Sequence, residues 1–164
     1  MGTGTSGAVD ARPVLPPGVR VRPPWLAKAL VAAALGAHAA LWGTEAPLGR
    51  AVALGVAFTL LGIGWSAWAA WALRRAGTPV ALRAEPRVFV DDGPYRFGRH
   101  PMYLGITVSI GGAAMALGSP LLLLAAGVFW LLVARLHVPY EEAMLRRRFG
   151  GWYSDYAADV RRWF

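Results

Sequence analysis

Four apolar runs, each close to the length of a membrane-spanning helix, dominate the hydrophobic pattern of the chain. They cover residues 25–42, 51–73, 102–117 and 121–138. About 20 apolar residues of helix cross a bilayer, so the third run is short for a span. Only Gly118, Ser119 and Pro120 separate the last two runs, which forces an antiparallel hairpin. The pattern therefore predicts an all-α integral membrane protein with about four transmembrane helices.

The segments outside the runs complete the predicted organisation. Residues 1–24 contain five prolines and no helical period, so we expect a disordered or extended arm. Residues 25–164 are expected to form a single membrane domain that ends in a cytoplasmic segment, 139–164. Pro139 should kink or restart the helix where that segment begins.

Small residues in the second run suggest how it packs. Gly62, Ser66 and Ala70 lie four residues apart, and such a ridge lets a neighbouring helix approach closely. Besides Lys28 in the first helical turn, the runs contain His38, Arg135 and His137, which are expected to pack between helices or reach the interface. A pocket role for Arg135 and His137 stays open.

Composition supports a lipid environment. The chain is 56% hydrophobic and 16% charged, whereas soluble domains carry about 25% charged residues. The absence of cysteine excludes disulfides, thiolate metal sites and a catalytic thiol, and we predict no metal. The runs contain no Asp or Glu, although a proton-coupled carrier normally keeps a carboxylate at membrane depth. Transport of that kind is therefore disfavoured.

The net charge of +8 is explained by topology without a nucleic-acid partner. Basic residues concentrate in the arm, the central loop and the tail, whereas the two short loops hold only Arg50. The positive-inside rule then places both termini and the central loop in the cytoplasm. Arg outnumbers Lys sixteen to one, and Asn and Gln are absent, as is typical of GC-rich coding. We therefore expect a bacterial inner-membrane protein.

Candidate chemistry is concentrated in two segments that flank the predicted hairpin. One is residues 93–105, which lead into the third run, and the other is the pair Glu141 and Glu142. Because the turn joins the far ends of the hairpin, its near ends meet. Arg99 and His100 should therefore face the two glutamates across a small cleft. The alternative is that these charges only anchor helix ends at the membrane surface.

The residue order in both segments follows a known pattern. Arg99-His100-Pro101-Met102-Tyr103-Leu104-Gly105 fits R-H-P-x-Y-x-G at every defined position. Downstream, Glu141-Glu142 is followed by Leu145, Phe149-Gly150, Tyr153, Tyr156 and Val160, as in E-E-x-x-L…F-G-x-x-Y-x-x-Y-x-x-x-V. From Gly77 onward the chain thus resembles the isoprenylcysteine carboxyl methyltransferase family and its bacterial and phospholipid-methyltransferase relatives.

The resemblance implies a membrane enzyme that binds S-adenosylmethionine at its cytoplasmic face and methylates a lipophilic or small acceptor. It implies that Arg99 and Glu142 act in catalysis, with Arg99 suited to the donor carboxylate and Glu141 or Glu142 to its ammonium. Tyr95 and Tyr103 would line the adenosyl pocket or face the sulfonium. Pro101 would set the helix entry and Gly105 would allow close approach of cofactor or backbone. The implied cofactor-binding residues are Tyr95, Arg99, His100, Pro101, Tyr103, Gly105, Glu141 and Glu142.

The acceptor stays open at this point. A carboxylate acceptor needs no base near pH 7, whereas an amine or thiol must lose a proton, which His100, Glu142 or His137 could take. Prenylcysteine, a phospholipid amine and a small thiol are all compatible with the motifs. A non-catalytic four-helix scaffold or carrier is the alternative of a different class.

Overall fold

The fold is a bundle of helices. The computed structural model describes residues 21–80 and 86–164, and all regular structure in these two ranges is helical. The elements are α1 (Pro23–Trp42), α2 (Val52–Arg75), a 3₁₀ turn (Gly93–Arg96), α3 (Pro101–Leu117), α4 (Pro120–Leu132), a π turn (Val133–His137), α5 (Val138–Phe149) and α6 (Gly151–Asp159). The predicted arm lies mainly outside the described residues. Its last two prolines, however, belong to the first turn of α1. The backbone N–H that proline lacks would have no partner within the helix at these positions.

Within residues 21–80 and 86–164, three helices are long and apolar enough to cross a membrane. They are α1, α2 and the continuous 30-residue helix Pro120–Phe149 formed by α4, the π turn and α5. Large side chains of α2, such as Leu60, Leu61 and Ile63, are more than half exposed, as expected of a surface that faces lipid. The 17 residues of α3 are apolar but span only about 25 Å. The fold class is as predicted, and α3 as a fourth span stays a prediction.

Helices α2 and α3 pack with their backbones in contact. A Cβ atom added to Gly62 would overlap the carbonyl oxygen of Gly105, and one added to Gly112 would overlap that of Gly55. The predicted ridge is present in part, since Gly62 and Ser66 both contact α3. The fully buried positions of the same interface are Gly55, Gly62 and Ala69, at a spacing of seven. This heptad spacing keeps one stripe of α2 facing α3 along its whole length.

The hairpin turn between α3 and α4 is built as the sequence predicts. Gly118 adopts a left-handed conformation with φ of 63°, and the Ser119 hydroxyl caps α4 by accepting a hydrogen bond from the Leu122 backbone. Helix α1 packs on α4, and their shared core contains Ala34 and Phe129. The turn and this core fix the position of the hairpin end at which Gly118 lies.

Pro139 does not restart the helix. The chain instead widens into the π turn Val133–His137 immediately before it and then continues as α5 through Phe149. A π turn inserts one extra residue per turn, which accommodates the missing backbone N–H of a proline. The extra residue also rotates α5 relative to α4, so it helps to set which glutamate faces inward.

Candidate active site

The predicted site residues meet at the end of the bundle opposite the Gly118 turn. Arg99 and His100 immediately precede α3, which begins at Pro101. Glu141 lies in the first turn of α5, and Glu142 follows it. Antiparallel packing of α3 and α4 brings these segments together, as the hairpin predicted. The contacts are direct rather than across a cleft.

The ring of His100 lies between the two glutamates. Its Nδ1 is 3.3 Å from Oε2 of Glu141, and its Nε2 is 3.3 Å from Oε1 of Glu142. Burial alone would lower the pKa of His100, but the hydrogen bonds and charges of both glutamates outweigh it, so the pKa lies above its usual value. An imidazolium that donates to both carboxylates is the favoured state.

Glu142 is buried at the centre of a cluster of cations. Its side chain is 2% exposed, and Arg162 donates to both of its oxygens, Nε to Oε1 at 3.0 Å and Nη2 to Oε2 at 2.8 Å. Nη2 of Arg99 lies 3.6 Å from Oε1, and Nη2 of Arg146 lies 3.7 Å from Oε2. A buried carboxylate needs such partners, and the bidentate pair is the strongest of them.

Glu141 has a different environment although it is the next residue. Tyr103 donates its hydroxyl hydrogen to Oε1 of Glu141, while the glutamate side chain stays 21% exposed. Successive residues of a helix point about 100° apart, so Glu141 faces the interior space while Glu142 faces the C-terminal segment. The sequence does not distinguish these two adjacent glutamates, but in the structure they have different partners and face different sides of α5.

A cavity of about 380 Å³ opens beside these residues. Its wall includes six of the predicted site residues: Tyr95, Arg99, His100, Pro101, Tyr103 and Glu141. Most of the remaining lining is apolar and comes from both ends of the central loop and from the start of α1. The volume is within the range of small-molecule sites, about 300–1,000 Å³, and the few polar groups converge on one wall.

Two predicted site residues, Gly105 and Glu142, do not line this cavity. Gly105 lies in the contact between α2 and α3, where an added Cβ would overlap the Ser66 hydroxyl and the Gly62 carbonyl. The motif implied that Gly105 allows close approach of either the cofactor or a backbone, and the structure shows the backbone of α2 at this position. Glu142 reaches the cavity only through Arg99 and His100.

Arg99 keeps donor capacity for a further partner. Its side chain is 12% exposed, and its Nε is buried without a hydrogen-bond partner among the described residues. A buried unpaired donor of a guanidinium is costly and rare, and it indicates a missing acceptor. An anionic group in the cavity would supply one.

Aromatic residues outside the predicted set complete the wall. Phe89 of the central loop packs against Phe149, Tyr153 and Tyr156, with ring centroids 5.2–6.2 Å apart. The Tyr156 hydroxyl donates to the carbonyl oxygen of Tyr95 at 2.7 Å. Burial, together with the charge of Glu141, raises the pKa of Tyr95, so its phenol stays neutral. The tail tyrosines of the motif were the available signal for this cluster, whereas nothing in the sequence marked Phe89.

His38, Arg135 and His137 of the apolar runs lie away from the polar wall. Nε2 of His137 donates to the carbonyl of Val21 at 2.9 Å, and Nε2 of His38 donates to that of Glu45 at 3.1 Å. His137 and Arg135 both belong to the π turn, and neither lines the cavity. His137 instead fastens the segment before α1, whose Arg22 does line it.

Comparison with known protein families matches residues 50–151 to phospholipid methyltransferase. Among curated proteins, the chain is 37% identical over 79 residues to protein-S-isoprenylcysteine O-methyltransferase B of Arabidopsis thaliana, which covers 48% of this chain and 40% of that protein. Form A of the same plant is 39% identical over 72 residues, covering 43% and 36%. A probable protein-S-isoprenylcysteine O-methyltransferase of Oryza sativa subsp. indica is 38% identical over 72 residues, covering 43% and 37%.

The matched segments thus span about two fifths of the length of these curated relatives. No solved structure matches the chain significantly. The family match covers 102 of the 164 residues and contains both Arg99-His100-Pro101 and Glu141-Glu142. The chain belongs to the phospholipid methyltransferase family.

Proposed function

We propose that this chain transfers a methyl group from S-adenosylmethionine to a lipophilic acceptor at one face of a membrane. The observation that carries the proposal is the placement of Arg99 and Glu141, which have opposite charges, in the wall of a cavity whose lining is largely apolar. The cavity is lined by residues at the start of α1, the end of α2 and the start of α3, and the family and the plant relatives are methyltransferases by name.

The donor has groups that fit this wall. It carries a carboxylate, an ammonium, a sulfonium and an adenine. In our proposal the Arg99 guanidinium, whose Nε has no partner, binds the carboxylate, and Glu141 binds the ammonium. Neutral Tyr95 and Tyr103 offer ring faces to the sulfonium or the adenine. When bound, S-adenosylmethionine supplies an electrophilic methyl group, and the protein holds it in line and free of water.

We assign Glu142 a positioning part rather than the catalytic one that the motif suggested. Its carboxylate is enclosed by four cationic side chains and does not line the cavity. It orients Arg99 and His100 from behind, and a group that does not touch the ligand acts through those that do.

The acceptor is proposed from chemistry and from the names of the relatives. A carboxylate such as that of isoprenylcysteine is ionised near pH 7 and requires no base, which suits a wall where both glutamates raise the pKa of His100 and favour its protonated form. A phospholipid amine or a small thiol is the alternative, and it would need a proton acceptor. Apolar residues at the start of α1 and the end of α2, Pro24 and Leu73, line the cavity, so a lipid chain can enter there from the bilayer.

Orientation completes the proposal. The excess of Arg in the central loop and tail places the cavity on the cytoplasmic side, with both termini in the cytoplasm, and the composition suggests a bacterial inner membrane.

The deciding experiment supplies methyl-labelled S-adenosylmethionine to the purified full chain in lipid vesicles. Farnesylcysteine, phosphatidylethanolamine and a small thiol are offered separately as acceptors. We expect label in farnesylcysteine, loss of at least 90% of it in Arg99→Gln, and no loss in Arg74→Gln, an exposed arginine away from the cavity. Label in none of the three acceptors from folded protein would contradict the proposal and favour a non-catalytic scaffold.

A further inference from the structure

The C-terminal segment, residues 160–163, lies against the start of α3. The backbone N–H of Arg99 donates to the carbonyl of Arg161 at 3.1 Å. Gly98 is so close to the backbone of Trp163 that an added Cβ would overlap its carbonyl. The Trp163 ring lies between His100 and Trp130, with centroid distances of 5.9 and 5.7 Å. This segment therefore touches both Arg99 and His100 from the side opposite the cavity.

Arg162 of this segment makes the best contacts to Glu142. It reaches both oxygens within 3.0 Å, with Nε and Nη2 each donating to a different oxygen. Arg99 and Arg146 approach the same carboxylate only to 3.6 and 3.7 Å. Arg162 thus makes the two shortest arginine contacts to the buried Glu142 carboxylate, and Arg99 and Arg146 lie farther from it.

Arg99 would be drawn to this carboxylate if Arg162 were absent. A buried carboxylate that loses its bidentate partner costs several kcal/mol unless another cation replaces it. Arg99 already lies 3.6 Å away, and its side chain is far less exposed than that of Arg146, at 12% against 53%. A guanidinium drawn fully onto Glu142 would turn away from the cavity and present fewer of its five N–H donors to an anion there.

We propose that Arg162 is a positioning residue for the methyl-donor site: by saturating Glu142, it keeps the guanidinium of Arg99 available to the cavity. This inference rests on the proposed function, because it needs the donor to bind at Arg99. Residues 160–163 lie beyond the family match of 50–151, so neither that match nor the R-H-P motif assigns this role.

The test measures the affinity of the full chain in detergent for S-adenosylhomocysteine, the demethylated donor, by calorimetry. Arg162→Gln should bind about tenfold more weakly or worse, since hydrogen bonds to charged groups contribute about 1.5–3 kcal/mol and 1.4 kcal/mol is tenfold. Arg162→Lys, which keeps the charge, should recover part of the loss. Arg148→Gln, in the same basic tail but exposed and without a contact to Glu142, should bind as the wild type does.

The double variant Glu142→Gln/Arg162→Gln gives a readout that general loss of packing does not predict. It removes the charge that competes for Arg99, so it should bind more tightly than Arg162→Gln, but less tightly than the wild type because Glu142 also orients Arg99 and His100. Circular dichroism melts confirm that each variant is folded at the assay temperature. If Arg162→Gln does not fold, the double variant and Arg162→Lys decide the question.

The two proposals fail in different ways. Wild-type affinity in Arg162→Gln, or a folded double variant that binds no better than Arg162→Gln, would overturn the positioning role while leaving the methyltransferase proposal intact. A folded wild type that binds no S-adenosylhomocysteine would overturn the proposed function and this inference with it.

Discussion

His100 and Glu142 are in contact, with Nε2 3.3 Å from Oε1, although 42 residues separate them in the chain. A two-residue turn, Gly118–Ser119, at the far end of the α3–α4 hairpin makes this contact possible, because it fixes which ends of the two helices meet. The contact joins the two motifs of the family into one polar wall.

The stability of the protein should depend on pH through His100. Its pKa is raised in the folded state, so protonation of His100 stabilises the fold below the unfolded pKa of about 6.5, and this stabilisation is lost as pH rises through the folded pKa. Glu141, Glu142, Arg99, Tyr103 and Trp163 surround the ring. The difference in melting temperature between wild type and His100→Gln should be constant at low pH and shrink above about pH 6.5. A difference that grows with pH would contradict the assignment.

A side chain added at Gly105 should lower the stability of the fold rather than act directly on ligand binding. Gly105→Ala places a Cβ against the Ser66 hydroxyl and the Gly62 carbonyl, and overpacking of this kind costs about 1–3 kcal/mol. Gly111→Ala, on the same helix with no atom near its Cβ position, is the matched control and should leave the melting temperature nearly unchanged. Equal melting temperatures for the two variants would show that α2 and α3 do not pack as described.

Membrane topology can be tested cleanly because the chain contains no cysteine. A single cysteine at Thr44, in the loop between α1 and α2, should react with a membrane-impermeant maleimide in intact cells. One at Ser154, exposed on α6, should react only after the membrane is permeabilised. Labelling of both positions in intact cells would contradict the even number of spans and the cytoplasmic placement of the cavity.

The sequence predicts the meeting of Arg99 and His100 with the glutamate pair, because apolar run lengths and one short turn determine it. It does not predict which glutamate faces the cavity, since that depends on the rotation of α5 after the π turn. Nor does it distinguish Arg162 from Arg161, which are adjacent and chemically identical. The contact of α2 with α3 through Gly62 and Ser66 was predicted, whereas the buried positions Gly55 and Ala69 were not, because several small residues offer more than one stripe.

Donor binding is the measurement that tests the account most directly. Calorimetry of S-adenosylhomocysteine with the folded, detergent-solubilised full chain should show one site in the wild type. Arg99→Gln and Glu141→Gln should each weaken it at least about tenfold, because each removes a charge-assisted contact. Arg74→Gln should bind as the wild type does. Folded wild type without binding, or unchanged affinity in both cavity variants, would contradict the placement of the donor between Arg99 and Glu141.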